Sequence, residues 1–445
     1  MTESIGGHLR RTELAPPVRI VHLGLGAFSR SHSAWYTEHA SDAHEWGIAA
    51  YTGSSVELAQ ALEAQDGLYT LVTRSVSGDE AEVIGSIVRA EPGGNLPALL
   101  TDLAAPGTAI VTLTITEAGY RADRHGELDL SDPLVAADRE TLSAVSLNSA
   151  LGATTMRTAL GRLVLGLEAR RRAGGGPIAI VSCDNLPDNG GLLRACVLGF
   201  AAANFETHEW CEANVSFVSS SVDRITPAIS SDELAAFRDR FHDRAPVVTE
   251  PFADWVLSGA FPAGRPRWET AGARFTDELE PWEARKLWML NGAHTILASL
   301  GPFYGHADVA QAIADPVCRE AVEAFWDEAG RHLPEDLDLP QYRTSLLERF
   351  SNPRIVHLLS QISLDATTKV RLRIAPVATL ERSAYRSAEA SALAIAAWLA
   401  TEPPEQGSVA LRDRVHRVSA ALASDDPFLE LVEGALNGLL AVASV

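Results

Sequence analysis

Residues 20–32 read IVHLGLGAFSRSH. An apolar, β-branched run ends in two glycines one residue apart, and a short polar segment follows, the order of a strand, a tight turn and the start of a helix. Gly24 and Gly26 hold the first two positions of G-x-G-x-x-G, and Ser29 stands at the third. Glycines at such a turn let the backbone approach a pyrophosphate, which then sits on the N-terminus of the following helix. An ordinary glycine-rich strand-to-helix turn has the same letters, so the surroundings decide.

Outward from that turn, WGIAAY (46–51), EVIGSIV (82–88), AIVTLTIT (109–116), PIAIVSC (177–183) and VSFVSSSV (215–222) are strand-like, with VELAQALEAQ (56–65) and TALGRLVLGLEARRR (158–172) helical between them. The alternation predicts an α/β chain with a Rossmann-type, doubly wound, largely parallel sheet. Past about residue 275 the period becomes helical in KLWMLNGAHTILASLG, YRTSLLERF and AEASALAIAAWLA, which predicts a mainly α-helical C-terminal domain. AFPAGRPRWETAGARF (260–275) has no sustained period and is the expected link, giving domains 1–275 and 276–445. A Rossmann site commonly places an acidic residue after its second strand. Here that strand ends AAYTGSS (49–55), with neither a carboxylate nor a close arginine, so NAD and NADP both stay open as cofactor.

The 445 residues exceed what one core serves, and 37 basic against 58 acidic side chains, net −21, disfavour nucleic acid and anionic membrane as partners. No apolar run reaches a membrane span and MTESIGGHLRR lacks the core of a signal peptide, so a cytoplasmic protein acting on a small molecule is expected. Cys183, Cys196, Cys211 and Cys318 lie far apart and suit neither a disulfide framework nor a zinc site; buried small hydrophobes are expected, and no metal.

One helical stretch carries chemistry. PWEARKLWMLNGAH puts Glu283, Lys286, Asn291 and His294 within twelve positions, and at about 100° per residue they share an arc of roughly 140° on an α-helix. A desolvated lysine is a base for an alcohol proton, Asn and His are fixed dipoles for a developing alkoxide, and Glu283 offers a proton relay. A plain helix face with a Glu/Lys pair and a core histidine fits the same spacing. Asn185, in SCDNLPDNG (182–190), lies just past a strand end, where open α/β sheets bind ligands; Asp223 and Arg224 lie at another.

Together these segments resemble the polyol-specific long-chain dehydrogenases, the mannitol 2-dehydrogenase family, which includes fructuronate (mannonate) reductases and arabinitol dehydrogenase. The likeness runs through IVHLGLGAFSRSH, QDGLYTL (65–71), TITEAGY (114–120), SCDN, FVSSSVDRITP (217–227), TEPFADWV (249–256), KLWMLNGAH and RFSNP (349–353). It implies a metal-independent oxidoreductase, with Lys286 as general acid/base, Asn291 and Asn185 around the carbonyl oxygen, His294 orienting the substrate and Glu283 on a proton path. Gly24, Gly26, Ala27, Phe28 and Arg30 would serve the cofactor, with Asp223 in support. Relatives' FHRAHQ loop is here FSRSHS, which keeps Phe28, Arg30 and His32 but loses a histidine to Ser29. In SLDATTKVRLR (363–373), Lys369 and Arg373 fall in a region the family uses around its substrate, and two cations suit a sugar-acid carboxylate. The resemblance thus points to D-fructuronate reduction to D-mannonate, with mannitol/fructose or arabinitol as alternatives, a non-catalytic nucleotide sensor as the reading of another class, and a monomer or small homo-oligomer.

Overall fold

The computed structural model describes residues 2–5, 8–53, 55–145, 150–402 and 410–442. It divides into two compact units, Met1–Leu279 and Glu280–Val445. Among the described residues no helix is long and apolar enough to cross a membrane.

The first unit opens on a hairpin of β1 (Thr2–Ile5) and β2 (His8–Arg11). Its main sheet has eight strands in the order β13-β12-β10-β9-β8-β3-β4-β7. These are β3 (Val18–Leu25), β4 (Gly47–Thr52), β7 (Ile87–Glu91), β8 (Ile110–Leu113), β9 (Ile178–Ser182), β10 (Val215–Asp223), β12 (Asp254–Ser258) and β13 (Arg274–Phe275). From β7 to β10 the strands are parallel in the doubly wound order, reversing direction of growth between β3 and β8. Strands covered on both faces need apolar residues at every position, and successive residues alternate between two cores. Ile20, Ile110 and Ala179 face one, with Trp255 and Trp268; Val21, Val111 and Ile180 face the other.

Helices follow the strands: α1 (Ala27–Ser31), α2 (Val56–Glu63), α3 (Leu96–Ala104), α4 (Ala159–Arg172), α5 (Asn189–Ala201) and α6 (Ser231–Phe241). Ser55 caps α2 through the amide of Leu58, and Thr158 caps α4 through that of Gly161. Leu99, Leu103, Leu163, Leu167, Leu193 and Val197 line the second core. A three-stranded sheet, β11-β5-β6, pairs β5 (Tyr69–Ser75) with β6 (Gly78–Ile84) antiparallel and with β11 (Val247–Thr249) parallel.

One expectation changes here. EVIGSIV is not one strand: it ends β6 at Ile84, breaks at Gly85 and Ser86, and begins β7 at Ile87, so two sheets share an apolar run. The stretch 260–275, expected as the link, lies within the first unit. Trp268 in it is fully buried against Trp255, and Arg274–Phe275 pairs with β12 at the sheet edge, so packing rather than period holds it.

The second unit is helical: α7 (Glu280–Arg285), α8 (Gly292–Leu300), α9 (Pro316–Gly330), α10 (Leu339–Phe350), α11 (Ala366–Arg373), α12 (Glu389–Thr401) and α13 (Asp426–Val442) are its main members. Every residue of α8 except His294 is buried, and α9, α11 and α12 border it. Cys183, Cys196, Cys211 and Cys318 are free and buried.

Candidate active site

The carboxyl end of β3 is built on one obligatory glycine. Gly24 has φ +98°, and a Cβ there would lie 2.1 Å from the carbonyl oxygen of Thr114 at the end of β8. That proximity knits the two strands flanking the sheet's reversal point. Thr114 Oγ1 donates to the Gly24 carbonyl at 2.8 Å and shares a 3.1 Å hydrogen bond with Nε2 of His22, whose Nδ1 meets Thr112 Oγ1 at 2.8 Å. Burial lowers the His22 pKa to about 4, against a smaller opposing effect of the Gly24 backbone, so the imidazole is neutral at physiological pH. Gly26 caps α1, where a Cβ would meet only the Gly24 oxygen, 3.7 Å away, and Ala27 is exposed. Ser29 Oγ accepts from the Gly26 amide at 3.0 Å, and Arg30 is buried, its Nε donating to the Gly26 carbonyl at 3.0 Å and NH1 to that of Ala245. Arg30 therefore braces the loop from beneath. Phe28 stacks on His32 at 4.9 Å.

Beside this turn a cavity of about 270 Å³ opens at the carboxyl ends of β3, β4 and β8, lined among others by Gly24, Thr52, Gly53, Thr114, Thr116 and Arg162. A larger open hollow of about 770 Å³, lined by Glu57, Arg238, His242 and Arg244, holds none of the sequence-predicted residues. The first cavity and the Gly24–Gly26 turn suit a dinucleotide: backbone amides, space where a side chain would intrude, and the sheet's reversal point coincide.

At the exit of β9, Asn185 is exposed, and the residue before it organises the neighbourhood. Asp184 accepts from the amides of Ile115 at 3.0 Å and Thr116 at 2.8 Å and from Tyr120 Oη at 2.9 Å. Burial pushes its pKa up, and those three donors pull it back. Thr116 has φ +63° and ψ 165°, a region other than glycine enters at a cost of about 1–3 kcal/mol, and the carboxylate's grip on its amide offsets that cost. Asn189 extends the network, donating to the carbonyls of Asp184 at 2.8 Å and Ser220 at 2.7 Å. Asp223, the last residue of β10, is buried opposite Asp254 of β12. Arg224 next to it is buried over Trp35, donates to the Ser31 carbonyl at 2.5 Å, and is lowered by burial to about 10.

In the helical unit, the expected continuous α-helix is interrupted. Lys286–Asn291 forms a π turn between α7 and α8, and the Gly292 amide reaches back five residues to the Leu287 carbonyl. The 100° spacing assumed for an α-helix therefore does not hold between Lys286 and Asn291. The Met289 carbonyl takes the buried indole N–H of Trp326 at 2.7 Å. Glu283, Lys286 and His294 are all partly buried. The His294 ring lies 4.9 Å from Phe350 and 5.5 Å from His357, so Phe350 of the RFSNP segment and His357 just beyond it wrap this histidine. On α11, Arg373 NH1 donates to the Asn291 carbonyl at 3.3 Å and Thr295 Oγ1 at 3.2 Å, and Lys369 Nζ to the Ile362 carbonyl at 2.8 Å. Burial lowers both, and for Lys369 the nearby Arg373 adds to it. Among the described residues no cluster of His, Cys, Asp or Glu is placed to hold a metal ion.

Residues 18–270 match the model of the mannitol dehydrogenase Rossmann domain, and residues 278–426 that of the mannitol dehydrogenase C-terminal domain. The chain belongs to the mannitol dehydrogenase family. D-Mannonate oxidoreductase of Escherichia coli (strain K12) is 37% identical, covering 86% of this chain and 79% of that enzyme. Mannitol 2-dehydrogenase of Cereibacter sphaeroides is 33% identical, covering 89% and 86%. The solved ternary complex of Pseudomonas fluorescens mannitol 2-dehydrogenase with NAD and D-mannitol is 30% identical, with a TM-score of 0.73 over 96% of this chain and 94% of that one. As a mannitol dehydrogenase family member the chain is an oxidoreductase that acts on CH–OH groups and uses NAD.

Four site features escaped the sequence reading: His22, Asp184, His357 and Arg162. Each acts through a partner in a distant element, Thr114 for His22, Ile115 for Asp184, His294 for His357 and Gly93 for Arg162, and one-dimensional spacing holds no trace of that. Asp184 alone had a usable signal, standing in SCDN next to a residue already singled out.

Proposed function

We propose that the chain reduces the ketone of D-fructuronate to the secondary alcohol of D-mannonate, and runs the reverse oxidation. The observation that carries this is the pair of cations on α11. Lys369 and Arg373 donate to neutral oxygens, and neither has an ion-pair partner among the described residues, so their charge is available to a carboxylate. Arg373 does so against the backbone of Asn291 itself. The 37% identity to D-mannonate oxidoreductase agrees with this reading. A neutral polyol is the second reading, favoured by relatives named D-arabinitol 4-dehydrogenase and mannitol 2-dehydrogenase at 36% and 33% identity.

In this reading NAD, when bound, supplies or accepts the hydride. Gly24 and Gly26 offer the phosphate turn, with Ala27 and Phe28 opening α1 and Arg30 and Asp223 supporting from below. Lys286 Nζ gives its proton to the carbonyl oxygen during reduction and recovers it during oxidation. The side-chain amide of Asn291 donates to the same oxygen as charge develops there, a role also assigned to Asn185. His294, fixed by Phe350, orients the substrate, and Glu283, one turn before Lys286, returns protons to solvent.

The test is oxidation of NADH against D-fructuronate, D-tagaturonate, D-fructose and D-xylulose. Turnover is expected to be best with D-fructuronate; turnover of fructose with neither keto-acid accepted would replace the first reading by the second. Silence with all four would reject both readings in favour of another CH–OH substrate.

A further inference from the structure

The cavity beside the phosphate turn contains a cation that the hydride chemistry leaves unused. Arg162 lies in the first turns of α4, remote in sequence from β4, yet it lines the same cavity as Thr52 and Gly53. Its NH1 donates to the Gly93 carbonyl at 2.6 Å. Gly93 is pressed onto the end of β4: its amide reaches Thr52 Oγ1 at 3.3 Å, and a Cβ there would lie 1.9 Å from the Thr52 carbonyl oxygen and 2.9 Å from that of Gly53. The guanidinium is thus one residue's breadth from the end of the second Rossmann strand. In an NAD-selective Rossmann site an acidic residue at that place binds the ribose hydroxyls and repels a 2′-phosphate. Here residues 52–55 are TGSS; of these, Ser54 lies outside the described residues.

No carboxylate is ion-paired with Arg162 among the described residues: burial lowers its pKa, and the charge of Asp138 opposes that only in part. Among the described residues the guanidinium's one hydrogen bond goes to a neutral carbonyl. The neighbouring acids are engaged elsewhere. Asp138 accepts from the amides of Arg157 and Thr158 and from Thr158 Oγ1, Asp102 from Tyr51 Oη and Arg89, and Glu91 from Asn95 beside its ion pair with Arg89. Glu57, the nearest carboxylate along the chain, accepts from Ser55 Oγ and lines the other hollow. None of the four lines the cavity. A half-buried guanidinium with donors to spare, facing a recess without negative charge, is a phosphate receptor. The recess has room: a Cβ built on Gly53 meets nothing within 4 Å.

We propose that Arg162 pairs with the 2′-phosphate of NADP, so that this chain binds NADPH as well as NADH. The inference rests on the dinucleotide reading of the same cavity. It is tested without substrate, by titrating the full-length protein with NADH and with NADPH and following nicotinamide fluorescence. The wild-type Kd values are expected to agree within about 10-fold. Arg162→Ala should raise the NADPH/NADH Kd ratio by at least about 10-fold, the scale of a lost charge-assisted hydrogen bond. Gly53→Asp, which has open space for its side chain, should raise the same ratio by supplying the missing carboxylate. A merely structural role for Arg162 would weaken both dinucleotides alike, and an unmoved ratio in Arg162→Ala overturns the proposal. So does a wild-type protein that binds NADH well and NADPH more than about 10-fold worse. Binding of neither dinucleotide would instead sink the cofactor reading on which the proposal stands.

Discussion

A lysine that moves a proton and a glycine that makes room fail in different ways when replaced. Lys286→Ala removes the group assigned to exchange a proton with the substrate oxygen, and turnover should fall by at least ~100-fold while NADH still binds. Turnover within a few-fold of wild type would take Lys286 out of the mechanism. Gly24→Ala acts on shape. Its Cβ would fall 2.1 Å from Thr114 O at a φ of +98°, so the β3 turn must shift away from β8. The backbone conformation alone costs about 1–3 kcal/mol, so the variant should melt earlier and lose NADH affinity in the same preparation. Unchanged melting and binding would mean that the turn does not carry the cofactor. The two glycines were visible in the sequence, but their unequal necessity was not. Gly26 has open surroundings, whereas Gly24 is compelled by a carbonyl 90 positions away.

At the scale of the element, the site helix shows the limit of periodicity. One turn of π-helix inserts no unusual residue type, so KLWMLN reads as α-helix from its own letters, and the deviation is set by what surrounds it. Trp326 holds the Met289 carbonyl from another helix. Trp326→Phe keeps an aromatic ring but removes the indole donor from that buried carbonyl, leaving it the Gly292 amide, which should cost about 1 kcal/mol in urea unfolding. Turnover should fall as well, because Lys286 and Asn291 bound the turn that relaxes. A variant as stable and as active as wild type would show that the π turn does not depend on Trp326. The sheet was easier to foresee. Its parallel strands are continuous apolar runs set between helices, and the doubly wound order follows from that alternation. The edge was harder: β12 runs antiparallel, β13 is two residues long, and β5, β6 and β11 leave for a second sheet, all decided by pairing between distant segments.

For the whole molecule, two buried groups set how stability answers acid. His22 has its pKa lowered from 6.5 to about 4 by burial, so the unfolded chain binds its proton first as pH falls. Stability should therefore decline from about pH 6.5 to 4, by roughly 3 kcal/mol in all, and level off below. Glu381 is the opposite charge type with the same sign of effect. It is buried in the helical unit, and although burial alone would raise it, the Arg331, Arg386 and His332 side chains hold its pKa down to about 2. Its contribution is present above the usual carboxylate value near 4.5 and is lost as pH falls towards 2. Urea midpoints followed by circular dichroism should lose the upper limb in His22→Gln and the lower limb in Glu381→Gln. Identical pH profiles for wild type and both variants would contradict the assignment. The strand order carries a last consequence, for the making of the chain. β3 lies inside the main sheet; β4 and then β7 join on one side, and β8, β9, β10, β12 and β13 join in succession on the other. Every strand after the first therefore meets a neighbour that has already left the ribosome, and the sheet can grow outward at the pace of synthesis.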